Sequence, residues 1–276
     1  MSTTKANFRL LVARRLGLVT TITTSSAGHA SGHTFIAESL LDKFPTSLSE
    51  LWVYEPTSFE SRRVVNYDEP EGIAQVNRPF SAQIGAAATL HIFRRFSPDD
   101  YDEALRMAVE DVYPYLMQEI VDTSLTTVAN QYEYAIPNTI HDLERMYGGK
   151  VEIQVNDTVT YPYTELRHWD TRTVRTTNDQ SYTLILSPAE FDSGKTLRLY
   201  GWGPLAYPAA DSDSIPLDAP QINLLALKVM ESLYARAQGA PAGDSQIAMQ
   251  KEAEYRAKFD QKRDEWGIVL VPTDVK

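Results

Sequence analysis

The side chains of this sequence that could do chemistry fall into a few small groups. Asp99, Asp100, Asp102 and Glu103 crowd carboxylates together, an arrangement that can move protons or hold a divalent cation. They follow Ser97-Pro98, which reads as an N-cap and a first helical residue, and a helix start favours negative charge. With no histidine or second acidic pair tied to them, capping accounts for them. His29 and His33 have the spacing at which two helical imidazoles share a metal. They sit instead in a Gly/Ser loop without a third ligand nearby. His168-Trp169-Asp170 places an imidazole beside a carboxylate, but no serine lies in a strained elbow motif to complete a triad.

Ala189-Glu190-Phe191-Asp192-Ser193-Gly194-Lys195-Thr196 is loosely like a phosphate-binding loop, with alanine where the first glycine belongs. Such a loop needs a helix after it, whereas Thr196-Leu197-Arg198-Leu199-Tyr200 continues as a strand. Glu190 and Asp192 would also repel phosphate. A Ser-Gly hairpin turn explains the same residues, and Gly148-Gly149-Lys150 reads as another turn. Tyr161, Tyr163, Trp169, Tyr182, Tyr200 and Trp202 could line a sugar-binding face, yet strands bury such residues routinely. No catalytic residue, cofactor or metal ligand is assigned, and the chain reads as a non-enzyme.

The elements that must position these groups begin with an amphipathic helix over about residues 4–16, ended by Gly17. Val19–Thr24, Ser49–Glu55, Glu60–Tyr67, Ile73–Val76 and Thr89–Phe96 have strand character, and Thr34–Leu41 reads as a strand or short helix. From Ser97 a central helix carries Tyr101, Leu105, Ala108, Val109, Val112, Leu116 and Ile120 on one stripe to about Ile120. Pro114 predicts a kink or break near Val112-Tyr113. Further strands run from Tyr132–Ile136 to Thr196–Trp202. A Pro/Ala/Asp linker follows over 205–215, then a buried helix to Gly239 and a last helix with Ala248, Tyr255, Phe259 and Trp266 along one side. The tail Val269-Leu270-Val271-Pro272 is apolar; it either tucks onto its own domain or reaches a partner.

The predicted fold class is α+β: a helical bundle, made of the central helix and the C-terminal helix pair, with two small antiparallel β domains. The expected domains are 1–17 (N-terminal helix), 18–96 (N-terminal β domain), 97–130 with 206–267 (helical core), 131–205 (inserted β domain) and 268–276 (C-terminal arm).

The chain has 276 residues, no cysteine, and 26 Lys and Arg against 37 Asp and Glu, a net charge of −11. Disulfides and thiolate metal sites are excluded. A duplex-gripping protein carries a basic patch; here only Arg14-Arg15, Arg62-Arg63 and Arg94-Arg95 concentrate positive charge, and solvated element ends explain each pair. The apolar runs fall short of the about 20 residues of a membrane span, so no membrane partner is expected. The first residues lack the apolar stretch and cleavage site of a secretory leader.

The order of parts is similar to the head-to-tail connector (adaptor) proteins of tailed bacteriophages. Arg94-Arg95-Phe96-Ser97-Pro98-Asp99-Asp100-Tyr101-Asp102-Glu103-Ala104-Leu105 resembles that family's entry into its main helix. Tyr132-Glu133-Tyr134-Ala135-Ile136-Pro137 resembles the strand that follows, in a β unit ending at Leu197-Arg198-Leu199-Tyr200-Gly201. Ile215-Pro216-Leu217-Asp218-Ala219-Pro220, with Leu224 to Gly239 and Ala248 to Trp266, resembles the closing helical pair. Leu51–Tyr54, Asn66-Tyr67 and Arg78-Pro79 look like the N-terminal β part of longer members.

The resemblance implies a structural virion protein of the neck, assembled in the host cytoplasm. It implies a self-assembled ring of twelve copies, docked on a portal protein above and a tail or tail-tube component below. Genomic DNA would pass through without sequence-specific binding. It also implies a portal-binding arm over about 267–276, with Ile268, Val269, Leu270, Val271 and Pro272 as its contact residues. A tail-completion or tube-terminator protein, or a carbohydrate-binding β module, are the alternatives.

Overall fold

The computed structural model describes residues 3–40, 51–68, 71–143, 148–155, 162–175, 180–187, 193–239, 242–266 and 269–271. The chain opens with β1 (Thr3–Thr4), α1 (Lys5–Arg15), β2 (Val19–Thr23), β3 (Thr34–Ile36), β4 (Trp52–Glu55), β5 (Glu60–Asp68), β6 (Ile73–Val76) and β7 (Thr89–Phe93). It continues through α2 (Pro98–Asp111), β8 (Leu116–Asp122), β9 (Glu133–Ala135), β10 (Lys150–Gln154), β11 (Tyr163–Glu165), β12 (Trp169–Arg175), β13 (Gln180–Leu186) and β14 (Leu197–Gly203). It closes with β15 (Ser214–Ile215), α3 (Ala219–Arg236), α4 (Ala242–Trp266) and β16 (Val269–Val271). Two compact units form, Met1–Ala108 with Tyr207–Lys262, and Val109–Ala206 with Arg263–Lys276.

In the first unit, Thr4 caps α1 by accepting from Asn7 N at 3.3 Å. Two orphan amides at that helix start find acceptors far along the chain: Lys5 N donates to Asp213 O and Ala6 N to Asp211 O. Thr3–Thr4 pairs antiparallel with Ser214–Ile215, so the stretch read as a linker ties down the chain's beginning. A six-stranded sheet runs β2-β7-β4-β5-β6-β3. Ser26, in the loop just past β2, makes an isolated bridge to Ile36 of β3. Ile22, Phe35, Leu51, Val53, Val64, Ala74, Val76, Leu90 and Ile92 fill its inside. Alternation does this: every second residue of a strand faces the same way.

Ser97 and Asp100 cap α2 reciprocally, Asp100 N donating to Ser97 Oγ at 3.1 Å and Ser97 N to Asp100 Oδ2 at 2.8 Å. Ile222, Leu224, Leu225, Val229, Met230 and Leu233 bury α3, while α4 buries Ala248 and Phe259. Buried Glu231 on α3 accepts from Lys228 Nζ at 3.2 Å and from Arg256 Nε of α4 at 3.0 Å.

In the second unit a five-stranded sheet, β11-β10-β14-β8-β16, and a three-stranded one, β12-β13-β9, share one core. Tyr134, Ile136, Val151, Ile153, Leu184, Leu186, Leu197 and Leu199 form it. All pairings are antiparallel except β16 on β8.

The expected fold class is wrong. The architecture is not a helical bundle with small β insertions, because among the described residues the sheets match the four helices in extent. The central helix ends at Asp111, the Tyr113-Pro114 peptide is cis, and Leu116–Asp122 is a strand paired with β14 on one side and β16 on the other. The sequence misleads here for a geometric reason. Leu116 and Ile120 are four apart, a spacing that shares one face in a helix of period 3.6 and also in a strand of period 2.

Candidate functional site

The most concentrated chemistry in the molecule is a charge network in the first unit. Arg9, almost fully buried at 4% exposure, donates from Nε and Nη2 to both oxygens of Asp102, each at 2.8 Å. The same guanidinium reaches Asp211, Nη2 to Oδ1 at 2.6 Å and Nη1 to Oδ2 at 3.2 Å. Tyr54 donates its hydroxyl to Asp211 Oδ2 at 2.9 Å, and Arg9 lies 5.1 Å from the centre of the Tyr54 ring. Lys5, also buried, contacts Asp102 Oδ2 at 2.9 Å and donates to Ala209 O at 3.2 Å.

Two cations and two carboxylates thus balance, and every charge has hydrogen-bonded partners, the condition for burying ions without a large penalty. Burial opposes the charges on Arg9 and Lys5, but Asp211 and Asp102 outweigh it for Arg9, and Asp102 with Tyr207 for Lys5, so both cations stay above their ordinary proton affinity. Burial, then the Asp211 hydroxyl contact, pushes the Tyr54 phenol up. These groups join α1, α2, β4 and the 207–213 segment.

Sequence reasoning found only Asp102 of this set, and read it as helix-start charge. The available signal was Lys5 and Arg9, one helical turn apart on α1 beside buried Phe8 and Val12. Of the remaining acidic residues, Asp100 caps the helix with Ser97, while Glu103 pairs with Arg106 at 2.8 Å and Asp99 is exposed.

His91 sits beside the network, 6% exposed, with Nδ1 3.1 Å from Thr21 Oγ1 and its ring stacked 6.4 Å from that of Tyr54. Burial, then the charge of Arg14, depresses its proton affinity below the ordinary histidine value of 6.5. Above about pH 7 both folded and unfolded chains hold it largely neutral, so it contributes little pH dependence. As pH falls below that, the unfolded chain takes the proton more readily and stability drains away. We therefore expect urea midpoints of the first unit to drop between about pH 7 and 5, and His91→Asn to flatten that drop. An unchanged slope in the variant would remove His91 as its source.

The other sequence candidates do not converge. His29 Nδ1 pairs with Ser31 Oγ at 2.7 Å, and no three His, Asp or Glu side chains are gathered as a metal cluster among the described residues. Residues 188–192 lie outside the described residues. Ser193-Gly194 is a turn followed by Lys195, whose N donates to Thr127 Oγ1 at 2.9 Å, and then by β14; a strand stands where a phosphate loop needs a helix. Gly148 likewise lies in a turn, with φ of 86°. Asp170 accepts from Thr171 N at 2.8 Å.

The aromatic set is split between two sheets. Tyr163 and Tyr200 stand half-buried on the outer face of the five-stranded sheet, with Arg198 over both rings (4.0 and 5.3 Å), Lys150 4.2 Å from the Tyr200 ring and Glu152 pairing with both cations. Trp169 and Tyr182 pack on the core of the second unit and Trp202 is buried. Tyr161 lies outside the described residues.

Of the proposed arm, Ile268 and Pro272 also lie outside them. Val269–Val271 forms a parallel ladder on Leu116–Gln118 at the edge of the five-stranded sheet. No helix among the described residues is long and apolar enough to cross a membrane.

Residues 79–273 match the SU10 adaptor protein family, and the chain belongs to that family. It is accordingly a structural adaptor of a phage, a virion component that works against other virion proteins. The match begins after β6, so most of the six-stranded sheet precedes it. Comparison with curated proteins gives no match.

Proposed function

We propose that this adaptor is the head-to-tail connector of a tailed phage: a ring of copies in the neck, joining portal to tail and surrounding the DNA passage. The family match over residues 79–273 supports this reading most directly. The net charge of −11 is in keeping with it, since a strongly basic lumen would hold the phosphates of passing DNA. We extend the proposal to the C-terminal segment as the portal-binding arm. Its three-residue ladder covers only Leu116–Gln118 of β8, a hold short enough to be exchanged for a partner surface.

Light scattering of the purified protein, alone and mixed with portal rings, tests the reading. The expected result is a multi-copy species that co-migrates with portal, and loss of co-migration for a chain ending at Trp266. A single copy under all conditions, indifferent to portal, defeats the connector reading. Full portal binding by the shortened chain defeats the arm alone.

A further inference from the structure

Two features of the first unit are built to present side chains outward. Phe59, at the β4–β5 turn, is 47% exposed and has φ of 58°, a backbone region that disfavours bulky residues. The buried Glu55 carboxylate holds the turn, accepting from Thr57 N at 2.9 Å and Ser58 N at 2.5 Å. Glu60 accepts from Ser81 N at 2.8 Å, and Arg62 donates to Pro79 O at 2.9 Å, fixing the strand that follows. An exposed aromatic on a turn this rigid is an anchor waiting for a pocket. Next to Phe59, around a depression of about 400 Å³, stand Pro98 and Asp99; Asp99 is exposed and makes no ion pair with another described residue.

The second feature is a depression of about 370 Å³ lined by Phe96, Leu233 and Ala237, with Arg95 and Arg236 among its polar walls. Arg95 is exposed, has φ of 64°, and rests over the rings of Phe96 and Tyr234 at 5.6 and 5.4 Å. Asp100 and Asp244 also line it, and Arg236 stands 3.9 Å from Asp100, while Arg95 makes no ion pair with another described residue. The first depression meets α2 at Pro98, Asp99 and Asp102, and the second at Asp100. Residues two apart on a helix point about 200° apart, so the depressions flank its first turn on opposite sides.

We infer that these surfaces fit each other between copies of this chain: Phe59 of one copy enters the Phe96–Leu233–Ala237 depression of the next, and Asp99 meets Arg95. The Phe59 ring meets the apolar floor of a hollow whose walls are charged, and the carboxylate of Asp99 faces the guanidinium of Arg95. Surfaces on opposite flanks make a heterologous, head-to-tail contact, which closes into rings or runs on as filaments rather than stopping at a two-fold dimer. The inference rests on the multi-copy reading above and names its interface.

Asp99→Lys and Arg95→Asp change exposed positions, so folding is checked by hydrogen exchange and assembly by mass photometry, with and without portal rings. Each single variant is expected to lose assembly by tenfold or more in midpoint concentration, about 1.4 kcal/mol, and Phe59→Ser by at least as much. The double variant Asp99→Lys/Arg95→Asp should regain assembly, and so should an equimolar mix of the two single variants, which can alternate so that every contact joins opposite charges. Wild-type assembly with single variants unaffected, or a double variant no better than either, overturns this interface and leaves the connector reading standing. A wild type that stays single even on portal overturns both.

Discussion

Arg9→Met should lower the stability of the first unit by about 3–5 kcal/mol, the cost of removing one partner from a buried ion network. The methionine matches much of the arginine's volume and packs against Tyr54, so little of the loss is a cavity. What remains is Asp102 and Asp211 facing one cation, Lys5, with Asp211 only 13% exposed as a side chain and Lys5 Nζ 4.0 Å from it. Asp211 then keeps the Tyr54 hydroxyl and that distant ammonium, too little for a carboxylate withdrawn from water. Hydrogen exchange of the α1 and β4 amides under rising urea measures the loss where it occurs. Arg9→Met/Asp211→Asn leaves Lys5 and Asp102 as a balanced pair at 2.9 Å and should recover part of it, with a coupling of about 1–3 kcal/mol between the two sites. Simple additivity of the two changes would mean that the network is decorative.

The other large effect is expected at Gly201, in the second unit. A Cβ there would lie 2.3 Å from Ile140 Cγ2 and 2.8 Å from Asp142 O. Neither neighbour can retreat cheaply. Ile140 is in the core, and the Asp142 carbonyl is held by Trp202 N at 2.6 Å while Asp142 N donates back to Trp202 O at 2.9 Å. Gly201→Val should therefore cost about 3 kcal/mol or more, the upper end of overpacking, and expose β14 and β8 amides to exchange. Gly85→Ala, where an added methyl meets nothing within 4 Å, should stay within about 0.5 kcal/mol. A Gly201→Val cost as small as that of Gly85→Ala would show that the crossing over β14 has slack.

Strand pairing explains why the fold class misled. α1, with Thr4 before it and Gly17 after, and α2, with Ser97-Pro98 at its start, announce themselves because caps and dipole charges are local. α3 does so because its apolar residues leave little polar face. Strand partners carry no such mark: nothing in Leu116–Asp122 says that Leu197–Gly203 lies on one side and Val269–Val271 on the other. The 205–215 segment has a linker's composition, yet it supplies Asp211 and the carbonyls that finish α1.

By itself the sequence determined the absence of thiol chemistry, the acidic surplus, the helix starts and a family likeness that the match over residues 79–273 bears out. Those properties depend on residue identity or on neighbours a few positions apart. Only the tertiary structure decided which helix continues and which turns into a sheet, that Lys5, Arg9, Tyr54, Asp102 and Asp211 meet, and that Phe59 and Arg95 are held outward. Contacts between positions some two hundred residues apart are set by how the whole chain buries its apolar surface, a condition no short stretch of residues records.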